Sequence, residues 1–177
     1  MRLTEQQRRL FLEQCLQGLH GYAYSLCRNV DDARDLIQDC AVKALKAKET
    51  PVEKRTYQAW LFRIIKNTYL DLLRHRRVVE TWEVDDAVFI EQDMEFSGNE
   101  DRLINTLTVK LGMEALPVAH REVLALVDIA GMSYGEAALV LEIPAGTVMS
   151  RISRARMALL KLIKEGNVRP MTRANRY

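Results

Sequence analysis

"GMSYGEAALVLEIPAGTVMSRISRARMALLKLIK", residues 131–164, contains a helix start, a stop and a restart within a few turns. Ser133 followed three residues later by Glu136 is the S-x-x-E capping box, in which each residue satisfies a free donor of the other at a helix N-terminus. Ala137, Ala138 and Leu141 are small or apolar residues at helical spacing, so a second helix can cross closely. Ile143-Pro144-Ala145-Gly146 breaks the period, and Thr147 is the expected cap of the next helix. The pattern predicts a helix-turn-helix.

On the second of these helices Val148, Ile152, Ala155, Leu159 and Ile163 fall on one narrow arc at about 100° per residue and are expected to face the core. The opposite arc holds Ser150, Ser153, Arg154, Met157 and Lys161, flanked by Met149 and Arg156 on one side and Arg151 on the other. A recognition helix needs exposed N-terminal residues that reach base edges and arginines that hold phosphates, and this spacing meets both needs.

The rest of the chain is also helical in period. Leu12, Leu16, Leu19, Ala23 and Leu26 form one stripe. "NVDDARDLIQDCAVKALK" offers Asp31 or Asp32 as N-cap, with Leu36, Ile37, Cys40, Ala44 and Leu45 as the next stripe. In "YQAWLFRIIKNTYLDLLRHRR" Leu61, Ile64, Ile65, Thr68 and Leu72 make the expected buried face. Trp60, Arg63, Asn67 and Arg74 lie opposite, with Lys66 at the edge and His75-Arg76-Arg77 at the end. An aromatic among cations and an amide suits single-stranded nucleic acid, because stacking holds bases and cations hold phosphates. Beyond the linker come a helix through Leu103 to Glu114, another started by Pro117 in its first turn, and the helix-turn-helix; "GNVRPMTRANRY" is expected to fray. No alternating run of β-branched residues occurs, so no sheet is expected.

Charge divides the 177 residues more sharply than the net +2 suggests. Residues 1–77 carry 15 Lys/Arg against 9 Asp/Glu, residues 78–101 none against 9, and residues 102–177 carry 11 against 6. Two basic ends around an acidic middle predict two small domains, 1–77 and 102–177, joined by an acidic linker, 78–101, with an anionic partner. Trp82, Val84, Val88, Phe89, Ile90 and Phe96 make that linker too apolar for a simple tether.

Cys15, Cys27 and Cys40 are odd in number, form no CxxC pair and lie in apolar helical stretches, so they read as buried thiols in a reducing cytoplasm. His20 and Cys27 lack a second ligand pair for a metal, and core packing is the expected role. The amphipathic N-terminus and the lack of a long apolar run argue against membrane insertion. With no glycine-rich phosphate loop, no metal-ligand spacing and no nucleophile beside a base, nothing points to catalysis or a cofactor.

Taken in order, "DDARDLIQDCAVKAL", "YQAWLFRIIKNTYLDLLRHRR", the acidic linker and "LPVAHREVLALVDIAGMSYGEAALVLEIPAGTVMSRISRARMALL" resemble the extracytoplasmic-function (ECF) group of bacterial RNA polymerase sigma factors, from about residue 8 to 165. The resemblance implies an all-α chain, with a region 2-like bundle binding core RNA polymerase and the minus-ten promoter element. A region 4-like helix-turn-helix would read the minus-thirty-five element. It implies polymerase contacts at Asp35, Gln38 and Asp39, with Arg34 standing where an acidic residue is usual. Minus-ten contacts would come from Trp60, Arg63, Lys66, Asn67 and Arg74, and from the loop 50–57 as a flipped-base pocket. Minus-thirty-five contacts would come from Thr147, Met149, Ser150, Arg151, Ser153, Arg154 and Arg156; Met149 replaces a frequent cation and Ser153 is short. It further implies an anti-sigma factor partner, an acidic linker threaded into polymerase and a cytoplasmic location. The competing readings are a helix-turn-helix repressor or activator that binds operator DNA without polymerase and a protein-interaction module whose basic faces dock acidic proteins.

Overall fold

The computed structural model describes residues 3–79 and 100–164, so most of the acidic linker, including Trp82 to Phe96, and the tail expected to fray lie outside the described residues. Every element within them is helical: α1 (Glu5–Cys27), α2 (Val30–Lys46), α3 (Lys54–Val79), α4 (Glu100–Ala115), α5 (Val118–Leu124), a π-helical turn (Ala125–Ile129), α6 (Tyr134–Leu141) and α7 (Ala145–Lys164). No strand occurs among the described residues.

Local chemistry explains the boundaries, and at α2 and α5 it corrects the expectation. Thr4 and Gln7 form a capping box at the start of α1. At α2 the cap is Asn29, not Asp31 or Asp32: its Oδ1 accepts from both their backbone N–H groups, at 2.9 and 3.0 Å. The two carboxylates sit in the first turn instead, where they favour the positive end of the helix dipole. Pro117 is the N-cap residue of α5 rather than a residue of its first turn.

Helices α1, α2 and α3 pack on one another, and α5 and α6 pack on α7. The α1 stripe is broader than its period implied. Leu12, Leu19, Ala23 and Leu26 are buried, but Leu16 is 43% exposed, and Cys15 and Tyr22 take its place inside. The cause is that α1 is covered from two directions, by α2 and α3 on one side and by α5 and the π-helical turn on the other. Likewise Phe62 and Tyr57 on α3 are fully buried beyond the expected face, whereas Leu72 near its end is 38% exposed. A single apolar cluster therefore runs from the first domain into the second.

Cys15 and Cys40 are buried, and burial pushes both thiols up, Cys40 to about 12, so neither is a ready nucleophile. Cys27 is half-buried, its Sγ donating to Ala23 O at 3.1 Å. His20 is exposed, so the packing role expected for it fails.

Candidate nucleic-acid interface

The helix-turn-helix forms as its residues dictate. Ser133 Oγ accepts from Glu136 N–H at 3.3 Å, and Glu136 Oε2 accepts from Ser133 N–H at 2.8 Å and Oγ–H at 2.7 Å. The Ser133 hydroxyl holds the Glu136 carboxyl below its usual range. Helix α6 ends at Glu142, which adopts the left-handed conformation at φ 58° without being a glycine. Helix α7 begins at Ala145, so Thr147 lies inside its first turn rather than at the cap, its N–H donating to Pro144 O at 2.9 Å.

Val148, Ile152 and Ala155 are buried and Leu159 and Ile163 half-buried, so the inner arc of α7 is where its period put it. On the outer arc Met149, Ser150, Ser153, Arg154 and Arg156 are exposed, and Thr147 and Arg151 partly so. Two arginines differ in preparation. Arg154 is held along its own helix, Nε donating to Ser150 O at 3.2 Å and Nη2 to Ser150 Oγ at 3.4 Å. Arg156 makes a two-pronged pair with Asp128, at 2.6 and 3.1 Å, which partly neutralises it.

On α2, Asp35, Gln38 and Asp39 are all exposed and line one shallow cleft with Asp32, Leu36 and Leu72. Arg34 pairs with Asp31 at 3.5 Å, one turn back along the same helix.

The α3 face is the part that sequence period did not resolve. Trp60 is half-buried against Tyr57, ring centroids 5.3 Å apart, while Asn67 is exposed and Arg74 pairs with Asp71 at 2.8 Å. Tyr57 belongs to the first turns of α3, its ring buried and its hydroxyl without a hydrogen bond, so the loop expected over 50–57 ends at 53. Arg63 is exposed and Lys66 half-buried, and both are paired with residues of the second domain. Arg63 Nη2 lies 2.6 Å from Glu142 Oε1, and Lys66 Nζ donates to Leu141 O at 2.9 Å.

Several residues that the sequence reading missed hold this junction. Arg121 is buried at 7% exposure; its Nε donates to Ser25 O at 2.7 Å and its Nη1 to Leu116 O at 2.5 Å. It thereby satisfies carbonyls near the C-terminal ends of both α1 and α4, where helices leave acceptors unpaired and carry partial negative charge. Arg28 donates to Glu114 O at 3.3 Å, Tyr24 donates to Glu114 Oε1, and Tyr22 donates to Glu122 Oε1 at 3.3 Å. Burial pushes the Glu122 carboxyl up, opposed by Lys66. Exposed ion pairs such as Arg63–Glu142 contribute about 0–1 kcal/mol, whereas burying one side chain the size of Phe62 contributes about 1.5–3. The apolar junction therefore dominates over the exposed ion pairs.

Residues 11–78 match the family model for sigma-70 region 2, and residues 106–159 the model for sigma-70 region 4. The chain is 31% identical to the ECF RNA polymerase sigma factor EcfG of Rhodopseudomonas palustris over 82% of its own length and 79% of the relative's. The chain belongs to the ECF sigma factors. It is also 32% identical to the RNA polymerase sigma factor NccH of Alcaligenes xylosoxydans xylosoxydans, covering 77% of this chain and 76% of that one. Among solved structures it is similar to the sigma factor RpoE bound to the anti-sigma factor NepR from Bartonella quintana: TM-score 0.65, 29% identity, 90% of this chain and 95% of that one. It is also similar to CnrH bound to the cytosolic domain of CnrY, with TM-score 0.62, 28% identity and coverage of 92% and 90%. Sigma factors are transcription initiation factors, and no helix among the described residues is long and apolar enough to cross a membrane.

Proposed function

We propose that this ECF sigma factor binds core RNA polymerase, brings it to specific promoters and melts them, with no catalysis, metal or cofactor of its own. One observation carries the reading: a region 2 match and a region 4 match share one chain, and the second includes a recognition helix whose Ser150, Ser153 and Arg154 are all solvent-facing. The first domain, within residues 1–77, acts on polymerase through Asp35, Gln38 and Asp39. It acts on the minus-ten strand through Trp60, Arg63, Lys66, Asn67 and Arg74. The second, within 102–177, reads the minus-thirty-five element through Thr147, Met149, Ser150, Arg151, Ser153, Arg154 and Arg156. Residues 78–101 connect them. Melting is driven by binding, since stacking flipped bases on protein offsets the cost of unstacking them. An anti-sigma factor restrains the protein in the cytoplasm, as the complexes of RpoE and CnrH support.

The test is co-elution with core polymerase, followed by run-off transcription on a genomic promoter library. Asp35→Lys with Asp39→Lys, one turn apart on an exposed face, is expected to weaken co-elution at least tenfold with the fold intact. Unchanged co-elution rejects the polymerase surface, and operator binding without polymerase favours the repressor reading.

A further inference from the structure

We propose that Met149 reads a thymine through its C5-methyl group, so that the second domain draws part of its specificity from an apolar contact and not only from arginines and serines. The inference rests on the reading of α7 as the minus-thirty-five helix. Its ground is the exposure of one methionine. Met132 is buried at 5% exposure and Met113 packs against the apolar cluster, the ordinary use of a flexible thioether as a gap filler. Met149 is 55% exposed and belongs neither to that cluster nor to the side chains packed on it.

The helix leaves this side chain bare. Helical side chains lean back over the turn N-terminal to them. The residues four and three positions before Met149 are Ala145 and Gly146, both exposed, and no atom lies within 4 Å of where a Cβ on Gly146 would stand. One turn ahead, Ser153 is short and exposed, and Ile152 is turned into the core. Met149 is also the fifth residue of α7, within the turns that reach base edges in a helix-turn-helix. Met157 and Leu160, exposed too, lie two turns or more further along.

The chemistry of DNA then selects the partner. A thioether has no charge, no donor and only a weak acceptor, so burying it against a phosphate or a hydrogen-bonding base edge strips water from a polar group and gives nothing back. The major groove presents one methyl group, that of thymine. Arg151 and Arg154 on the same helix bring the duplex in by charge, and Met149 meets the methyl from the open N-terminal end.

Deoxyuridine in place of thymine removes that methyl and keeps every hydrogen-bonding group, so the contact is testable one position at a time. The sample is the full chain on core polymerase. The probe is a duplex promoter recovered from the run-off library, with deoxyuridine at each thymine of the upstream element in turn, on either strand. One such substitution is expected to weaken binding of the unaltered protein about fourfold, the effect of one buried methyl group, and to leave binding by Met149→Ala unchanged. Alanine is a strong helix former, so that variant keeps α7. Met149→Leu, apolar and of similar size, is expected to retain the response. An element that is read but holds no thymine whose methyl matters, or a Met149→Ala protein that responds to deoxyuridine as the unaltered chain does, overturns the proposal alone. A scrambled element bound as tightly as the original overturns the reading of α7 and the proposal with it.

Discussion

The outer faces of α7 and α3 are both basic arcs opposite an apolar stripe, yet they end in different situations. On α7, Ser150, Ser153 and Arg154 are exposed, and Arg154 is held along its own helix. On α3, Arg63 and Lys66 are engaged by residues 75 or more positions away, and Phe62 beside them is fully buried. One face is left to solvent, and on the other two cations are paired with the second domain. The difference is that α7 packs within its own domain, whereas α3 carries a second buried face for the neighbouring one.

The largest effect is expected where the two domains share a charge. Arg121→Met keeps the stem but leaves Ser25 O and Leu116 O without their donor. Each hydrogen bond to a charged group contributes about 1.5–3 kcal/mol, so we expect a loss of roughly 3 kcal/mol in urea denaturation. A loss below about 1 kcal/mol would mean that water replaces the guanidinium and that the junction is looser than its geometry.

Next come the α3 residues proposed to act on unpaired bases. Trp60→Ala and Asn67→Ala are expected to spare closed-complex binding and to reduce strand opening, each by about 1–3 kcal/mol per stacked or edge-read base. Permanganate footprinting decides this, with thermal denaturation to separate the lost Trp60–Tyr57 packing from lost DNA contact. Normal melting in both variants moves the minus-ten role off this face.

On α7 the two arginines should separate. Arg154→Ala is expected to cost about 1–3 kcal/mol on the upstream element and to relax preference at one base pair. Arg156→Ala should weaken all sequences alike and by less, since Asp128 already shares its charge. Titrations on single-base variants at several salt concentrations check both, and Met149→Arg should steepen the salt dependence by about one contact. Equal losses on every DNA would make Arg154 a phosphate clamp.

The smallest effect is on pH. Burial raises the Glu122 carboxyl above its ordinary 4.5, with Tyr22, Lys66, Arg151 and Arg121 as the groups acting on it or beside it. Opening the junction hydrates Glu122 and returns it toward that value. The closed form then binds the proton more readily, so closure strengthens as pH falls toward the raised value and weakens as pH rises through it. Small-angle scattering as pH is lowered from neutral toward the ordinary carboxyl range should show a modest compaction that Glu122→Gln abolishes. Compaction that survives Glu122→Gln would assign the effect to another group.

Most of the helices were legible before any coordinates because their determinants are local. The Ser133–Glu136 box spans one turn, and the inner arc of α7 repeats within the length of its own helix. Where local signals compete, the reading slipped by a few positions: Asn29 took the cap from Asp31 and Asp32, and α7 started before Thr147. Sequence alone also carried two basic ends around an acidic middle and the order of motifs on which the sigma-factor resemblance rests. Only the tertiary structure decided that Arg63 and Lys66 are paired across the junction, that Arg121 joins two helix ends, and that Gly18 and Gly21 leave room for Ala130 and Ile129. Ser25 and Arg121 are 96 positions apart, Tyr22 and Glu122 are 100, and Lys66 and Leu141 are 75. Helical period records which side of a helix is apolar, but not which distant surface will cover it; that is settled by the shapes of two faces meeting.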